Sequence, residues 1–109
     1  MKRIVLVLAL VAALALVVVQ VAFAAVGVTG KEFKFTLTTK TVRHGKVTFK
    51  LTNKGRLKHD FKIAGKKTKL VSPGKSASLT VTLKRGKYTY ICTVPGHAAA
   101  GMKGTLRVT

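Results

Sequence analysis

Cys92, His97 and Met102 stand at equal five-residue steps near the end of the chain, and His59 lies well upstream of them. Together they offer one thiolate, two imidazoles and a thioether. A cysteine and two histidines in a trigonal plane, with a weak thioether on the axis, suit a single copper ion that changes oxidation state. The chemistry implied is transfer of one electron at a time.

Taken singly, none of these residues is diagnostic. A histidine bonded to a carbonyl and a free cysteine packed as a small apolar residue are both common in protein cores. The spacing changes this. Pro95 fixes its own φ and biases Val94 toward extended backbone, so the chain leaves Cys92 in a defined direction. Gly96 then permits the bend that turns His97 back, and Gly101 allows a second before Met102. His44, in Arg43-His44-Gly45, reads instead as a solvated turn residue.

Such a loop needs a rigid frame, and the chain supplies alternating segments. Phe33, Phe35 and Leu37 alternate with Lys34 and Thr36; Val47, Phe49 and Leu51 with Thr48 and Lys50; Leu79, Val81 and Leu83 with Thr80 and Thr82. Period-two alternation marks strands with one buried face. Tyr88, Tyr90 and Cys92 share a parity, as do Leu106 and Val108, and His59 shares one with Phe61 and Ile63. Asn53-Lys54-Gly55, Ser72-Pro73-Gly74 and Lys84-Arg85-Gly86 are turn material. Six or seven short strands at this spacing predict an all-β fold, a two-sheet antiparallel Greek-key sandwich.

The segment Lys87-Tyr88-Thr89-Tyr90-Ile91-Cys92-Thr93-Val94-Pro95-Gly96-His97, with Asn53-Lys54-Gly55 leading to His59-Asp60-Phe61, resembles the cupredoxins, the plastocyanin and azurin family. The resemblance covers essentially all of residues 25–109. It implies that His59, Cys92 and His97 are equatorial ligands of one type 1 copper and Met102 the weak axial one. The four-residue gaps from Cys92 to His97 and on to Met102 are longer than in plastocyanin and nearer rusticyanin-like members. Two departures stand out. Asp60 occupies the position after the first histidine where many relatives have Asn, and its carboxylate accepts hydrogen bonds but donates none when ionised. Ile91 and lysines replace the tyrosine and acidic patch of plastocyanin's second docking route.

The first residues speak to compartment. Lys2 and Arg3 precede an unbroken apolar run from Ile4 to Val19, and Ala22-Phe23-Ala24 offers an A-x-A cleavage site, so residues 1–24 read as a signal peptide and 25–109 as the copper domain. With Gln20 as its only polar interruption, the apolar run from residue 4 to 26 would also serve as a retained membrane anchor. Either way the domain is exported, to the periplasm or the extracytoplasmic cell surface. A lone cysteine there cannot form an internal disulfide, and metal ligation accounts for it.

Charge is the other strong signal. The chain carries 21 Lys and Arg against Glu32 and Asp60, a net +19 that becomes +17 once Lys2 and Arg3 are removed. Scarce aromatics beside the basic residues and the lack of long basic runs argue against nucleic acid. The expected partners are acidic redox proteins, a cytochrome or an oxidase, docking near His97, or an anionic membrane or envelope surface, with the chain itself a monomer. One positive charge at about 10 Å, with an effective dielectric near 20, favours Cu(I) over Cu(II) by roughly 1 to 2 kcal/mol before screening. Alternatives on the same residues are a copper-trafficking or storage protein and a cationic envelope-binding module. A thiol hydrolase built on Cys92 and His97 lacks a residue to orient the histidine and a cleft to hold substrate, so no enzymatic activity is expected.

Overall fold

The computed structural model describes residues 23–109. The expected leader or anchor lies outside the described residues, apart from its last positions, which fall in the first strand. The described residues form nine strands in order: β1 (Phe23–Lys31), β2 (Lys34–Leu37), β3 (Thr41–Val42), β4 (Gly45–Asn53), β5 (Lys62–Ile63), β6 (Lys66–Lys67), β7 (Ser76–Leu83), β8 (Gly86–Ile91) and β9 (Lys103–Val108). Among the described residues no helix is long and apolar enough to cross a membrane.

The strands form two sheets, one ordered β2-β1-β4-β7 and the other β3-β9-β8-β5-β6. Each sheet contains one parallel pair, β1 with β4 and β3 with β9, so the sandwich is mixed where alternation alone suggested antiparallel pairing throughout. Alternation reports which face of a strand is buried and is silent about the direction of its neighbour. The register of β1 on β4 runs from Phe23 opposite Lys46 to Gly30 opposite Asn53. Phe23 and Ala24, the last residues of the expected leader, are thus rungs of this ladder.

The alternating residues do what their parity predicts. Val47, Phe49 and Leu51 of β4 are completely buried, and Val81 and Leu83 of β7 face the same interior. Tyr90, Leu106 and Val108 line it from the opposite sheet. Phe33 departs from the pattern. It lies in the turn between β1 and β2, is 39% exposed, and sets its ring against His97 rather than in the core.

Phe61 is the hub that connects this core to the end of the sandwich that carries His59. Its ring lies 5.4 Å from Phe35, 5.1 Å from Phe49 and 5.4 Å from Tyr90. Aromatic pairs at such separations add directional preference to the burial of their area. Because Phe61 follows His59 by two residues, the rigidity of this cluster passes directly into the backbone that carries the imidazole.

Candidate metal centre

His59 is set by its backbone before its side chain is considered. It forms an isolated bridge with Val71, donating its N–H to Val71 O at 3.1 Å and accepting from Val71 N at 2.7 Å. Asn53, fully buried at the end of β4, organises the loop leading there. Its Nδ2 donates to Leu57 O and Val71 O, and its Oδ1 accepts from Gly55 N. A buried amide is stable only with its hydrogen bonds made, and here one side chain ties both flanks of the His59 loop together. The sequence presents Asn53 as turn material, so this role is a finding of the structure.

The other two donors come from the connection between β8 and β9. Cys92 follows β8 directly, and its N–H donates to Met102 O at 3.0 Å. The chain then bends at Gly96, with φ of 84°, and again at Gly101, with φ of 123°. Both are left-handed or related conformations that side chains resist, as the sequence anticipated. His97 accepts from Met102 N at 3.1 Å through its carbonyl. The backbone of Met102 thus closes onto both Cys92 and His97, and its side chain is completely buried.

Three side-chain donors converge as a result. His59 Nδ1 and His97 Nδ1 are 3.1 Å apart, and Cys92 Sγ lies 3.6 Å from His97 Nδ1 and 3.9 Å from His59 Nδ1. A point equidistant from the three lies about 2.1 Å from each, close to the length of a metal–imidazole bond and slightly short for a metal–thiolate one. All three residues are buried, His97 least so at 7% exposed. The set fits copper by both spacing and softness. His44 lies elsewhere, exposed, with its ring bonded to Thr109 O.

Burial pushes the Cys92 thiol above its ordinary value, while the backbone N–H groups of Asp60 and Val94 act the other way. A thiol held neutral in this way loses its proton when a metal binds. Asp60 secures the loop beyond the sulfur. Its Oδ1 accepts from Thr93 N at 2.6 Å and its Oδ2 from the Thr93 hydroxyl. The carboxylate therefore ties the two loops together by accepting at both oxygens.

Glu32 is a second residue whose role at the site the sequence does not announce. From the turn after β1, its Oε1 accepts from Arg56 N at 2.7 Å and Leu57 N at 2.6 Å, and lies 3.2 Å from His59 Nε2. These bonds, the one from Leu57 foremost, lower its pKa to about 2. No local signal announces such a contact, because the partners are more than twenty residues away and belong to a different loop.

The whole of residues 20–109 matches the model of the copper-binding plastocyanin/azurin family. Among curated proteins, auracyanin-B of Chloroflexus aurantiacus is 56% identical over 43 residues, covering 38% of this chain and 18% of that protein. The copper-resistant cuproprotein CopI of Pseudomonas aeruginosa is 52% identical over 40 residues, covering 36% and 22% respectively. The matched segments thus span only about a fifth of these relatives. Among solved structures, auracyanin A of Chloroflexus aurantiacus, described as a "blue" copper protein, superposes with a TM-score of 0.71 at 24% identity, covering 81% of this chain and all of that one. Auracyanin B gives 0.68 at 25% identity over 85% and 93% of the two chains. A buried Cys-His-His cluster, a two-sheet β-sandwich and this family match converge on one conclusion: the chain belongs to the cupredoxins, the plastocyanin/azurin family of blue-copper proteins.

Proposed function

We propose that this protein is an exported carrier of single electrons, in which His59, Cys92, His97 and Met102 would hold copper. The observation that carries the reading is that three donor atoms already lie within 4.8 Å of one another in a buried site. Copper would supply the Cu(I)/Cu(II) couple. The protein's own contribution is to keep the donors still, so that little reorganisation accompanies the change of charge, and to exclude water from them.

His97 is the natural exit for the electron. It is the least buried of the three donors, and the flanking Pro95, Gly96 and Ala98 to Ala100 carry small side chains or none. Phe33 extends that surface, its ring meeting His97 edge-on at 5.1 Å. A small apolar contact supports brief, weak docking, and the lysines beyond it attract acidic redox partners. The test is to load the protein with Cu(II), record the thiolate-to-copper absorption, and cycle it between reductant and oxidant. Retention of colour and metal over many cycles supports the carrier.

Similarity to a copper-resistant cuproprotein favours a second reading, copper trafficking or storage on the same residues. Rapid loss of the metal to a mild chelator would favour that function over electron transfer.

A further inference from the structure

Only two acidic residues, Glu32 and Asp60, occur in a chain with 21 basic ones, and both serve the candidate metal end. Asp60 ties the two donor loops together through Thr93. Glu32 touches a metal donor directly, from a turn that brings no donor of its own. We propose that Glu32 is a positioning residue for the copper centre: its carboxylate fixes the tautomer and orientation of His59 and, as a negative charge behind that imidazole, favours Cu(II) over Cu(I).

The geometry supports each part. His59 turns its two nitrogens in opposite senses, Nδ1 toward Cys92 and His97 and Nε2 toward Glu32. A carboxylate accepts and does not donate, so Nε2 carries the proton and Nδ1 keeps its lone pair for the metal. The same Oε1 gathers the N–H groups of Arg56 and Leu57, which locks the loop just before His59. One oxygen atom therefore holds both the ring and the loop that leads to it. Ligand imidazoles are commonly oriented by a partner of this kind, and a carboxylate raises their donor strength.

Gly55 shows how closely the carboxylate fits. A Cβ at that position would stand 2.5 Å from both Glu32 oxygens, so the loop admits the anion only because residue 55 has no side chain. The Gly55→Ala variant would therefore push the carboxylate away without altering Glu32 or any donor.

This inference rests on the carrier reading, and the experiment separates the two. In the metal-free protein, nitrogen NMR of the histidine rings should show His59 protonated at Nε2. The preference should be lost in Glu32→Ala and weakened in Gly55→Ala. In the copper-loaded protein, Glu32→Gln keeps the acceptor and removes the charge. It should shift the Cu(II)/Cu(I) balance toward Cu(I) by about tenfold, a rise of about 59 mV for a one-electron couple. It should also weaken Cu(II) binding by about tenfold while leaving the blue absorption in place. If wild-type protein fails to cycle, the carrier reading falls, and the ring tautomers still decide the positioning role. If it cycles and Glu32→Gln stays within twofold, about 18 mV, the charge effect is overturned. An unchanged His59 tautomer in Glu32→Ala overturns the positioning role.

Discussion

Replacing Asp60 by Ala offers a sharp test of how the two donor loops are joined. Asp60 is 4% exposed and holds Thr93 by two hydrogen bonds, one from the backbone N–H and one from the hydroxyl. Hydrogen bonds to a charged group contribute roughly 1.5 to 3 kcal/mol each. Part of that sum is offset because the variant no longer has to bury a carboxylate, which is itself costly. The net loss works out at about 3 kcal/mol, a large share of the roughly 5 to 10 kcal/mol that stabilises a domain of this size. Urea unfolding of the metal-free protein measures it directly. With a slope of about 1 kcal/mol per molar for a small domain, the midpoint should fall by about 3 M. Asp60→Asn provides the control, because its carbonyl still accepts from Thr93 N and its amide donates to the hydroxyl oxygen. It should cost about 1 kcal/mol. An Asp60→Ala midpoint within 0.5 M of wild type, or an Asn variant as unstable as the Ala one, would refute the reasoning.

Four further outcomes are expected. Cys92→Ala should abolish the blue absorption while leaving the metal-free fold intact by circular dichroism. Copper uptake must expel the proton that burial keeps on Cys92, so affinity measured by chelator competition should rise about tenfold per pH unit between about pH 7 and 8.5. The Glu32 pKa falls from 4.5 to about 2 on folding, so its stabilisation is fully present above pH 4.5 and disappears as the pH drops through 2. Acid titration of the metal-free protein should show that limb, and Glu32→Gln should flatten it. A Cβ on Gly104 would overlap the buried phenol ring of Tyr90, so Gly104→Ala should cost roughly 1 to 3 kcal/mol by thermal unfolding.

Much of this molecule was legible in the chain because its information is local. Parity along residues 47–51, 79–83 and 88–92 gave the inward faces, and Pro95, Gly96 and Gly101 gave the bends that return His97 and Met102 toward Cys92. What escaped depends on long-range geometry. Asn53 looks like any turn asparagine until Val71 is brought beside it. Glu32 gives no hint of His59, because neither periodicity nor a short motif links a hairpin turn to a loop in another part of the sheet. Phe33 follows the alternation of β2 and yet lies just outside it, where the turn reverses its direction. The parallel pairing of β1 with β4 likewise has no signature in either strand alone.

The lysines have a further consequence where the sheets stop. The outermost strands are β2, β7, β3 and β6, and open backbone at such margins invites another chain to add itself. Here β6 consists of Lys66 and Lys67, β2 begins with Lys34, β3 sits between Lys40 and Arg43, and β7 between Lys75 and Lys84. The positive charge at these margins thus opposes the addition of a second copy of the same chain. Capping those amines with neutral acyl groups should make the protein clump while its metal chemistry stays intact.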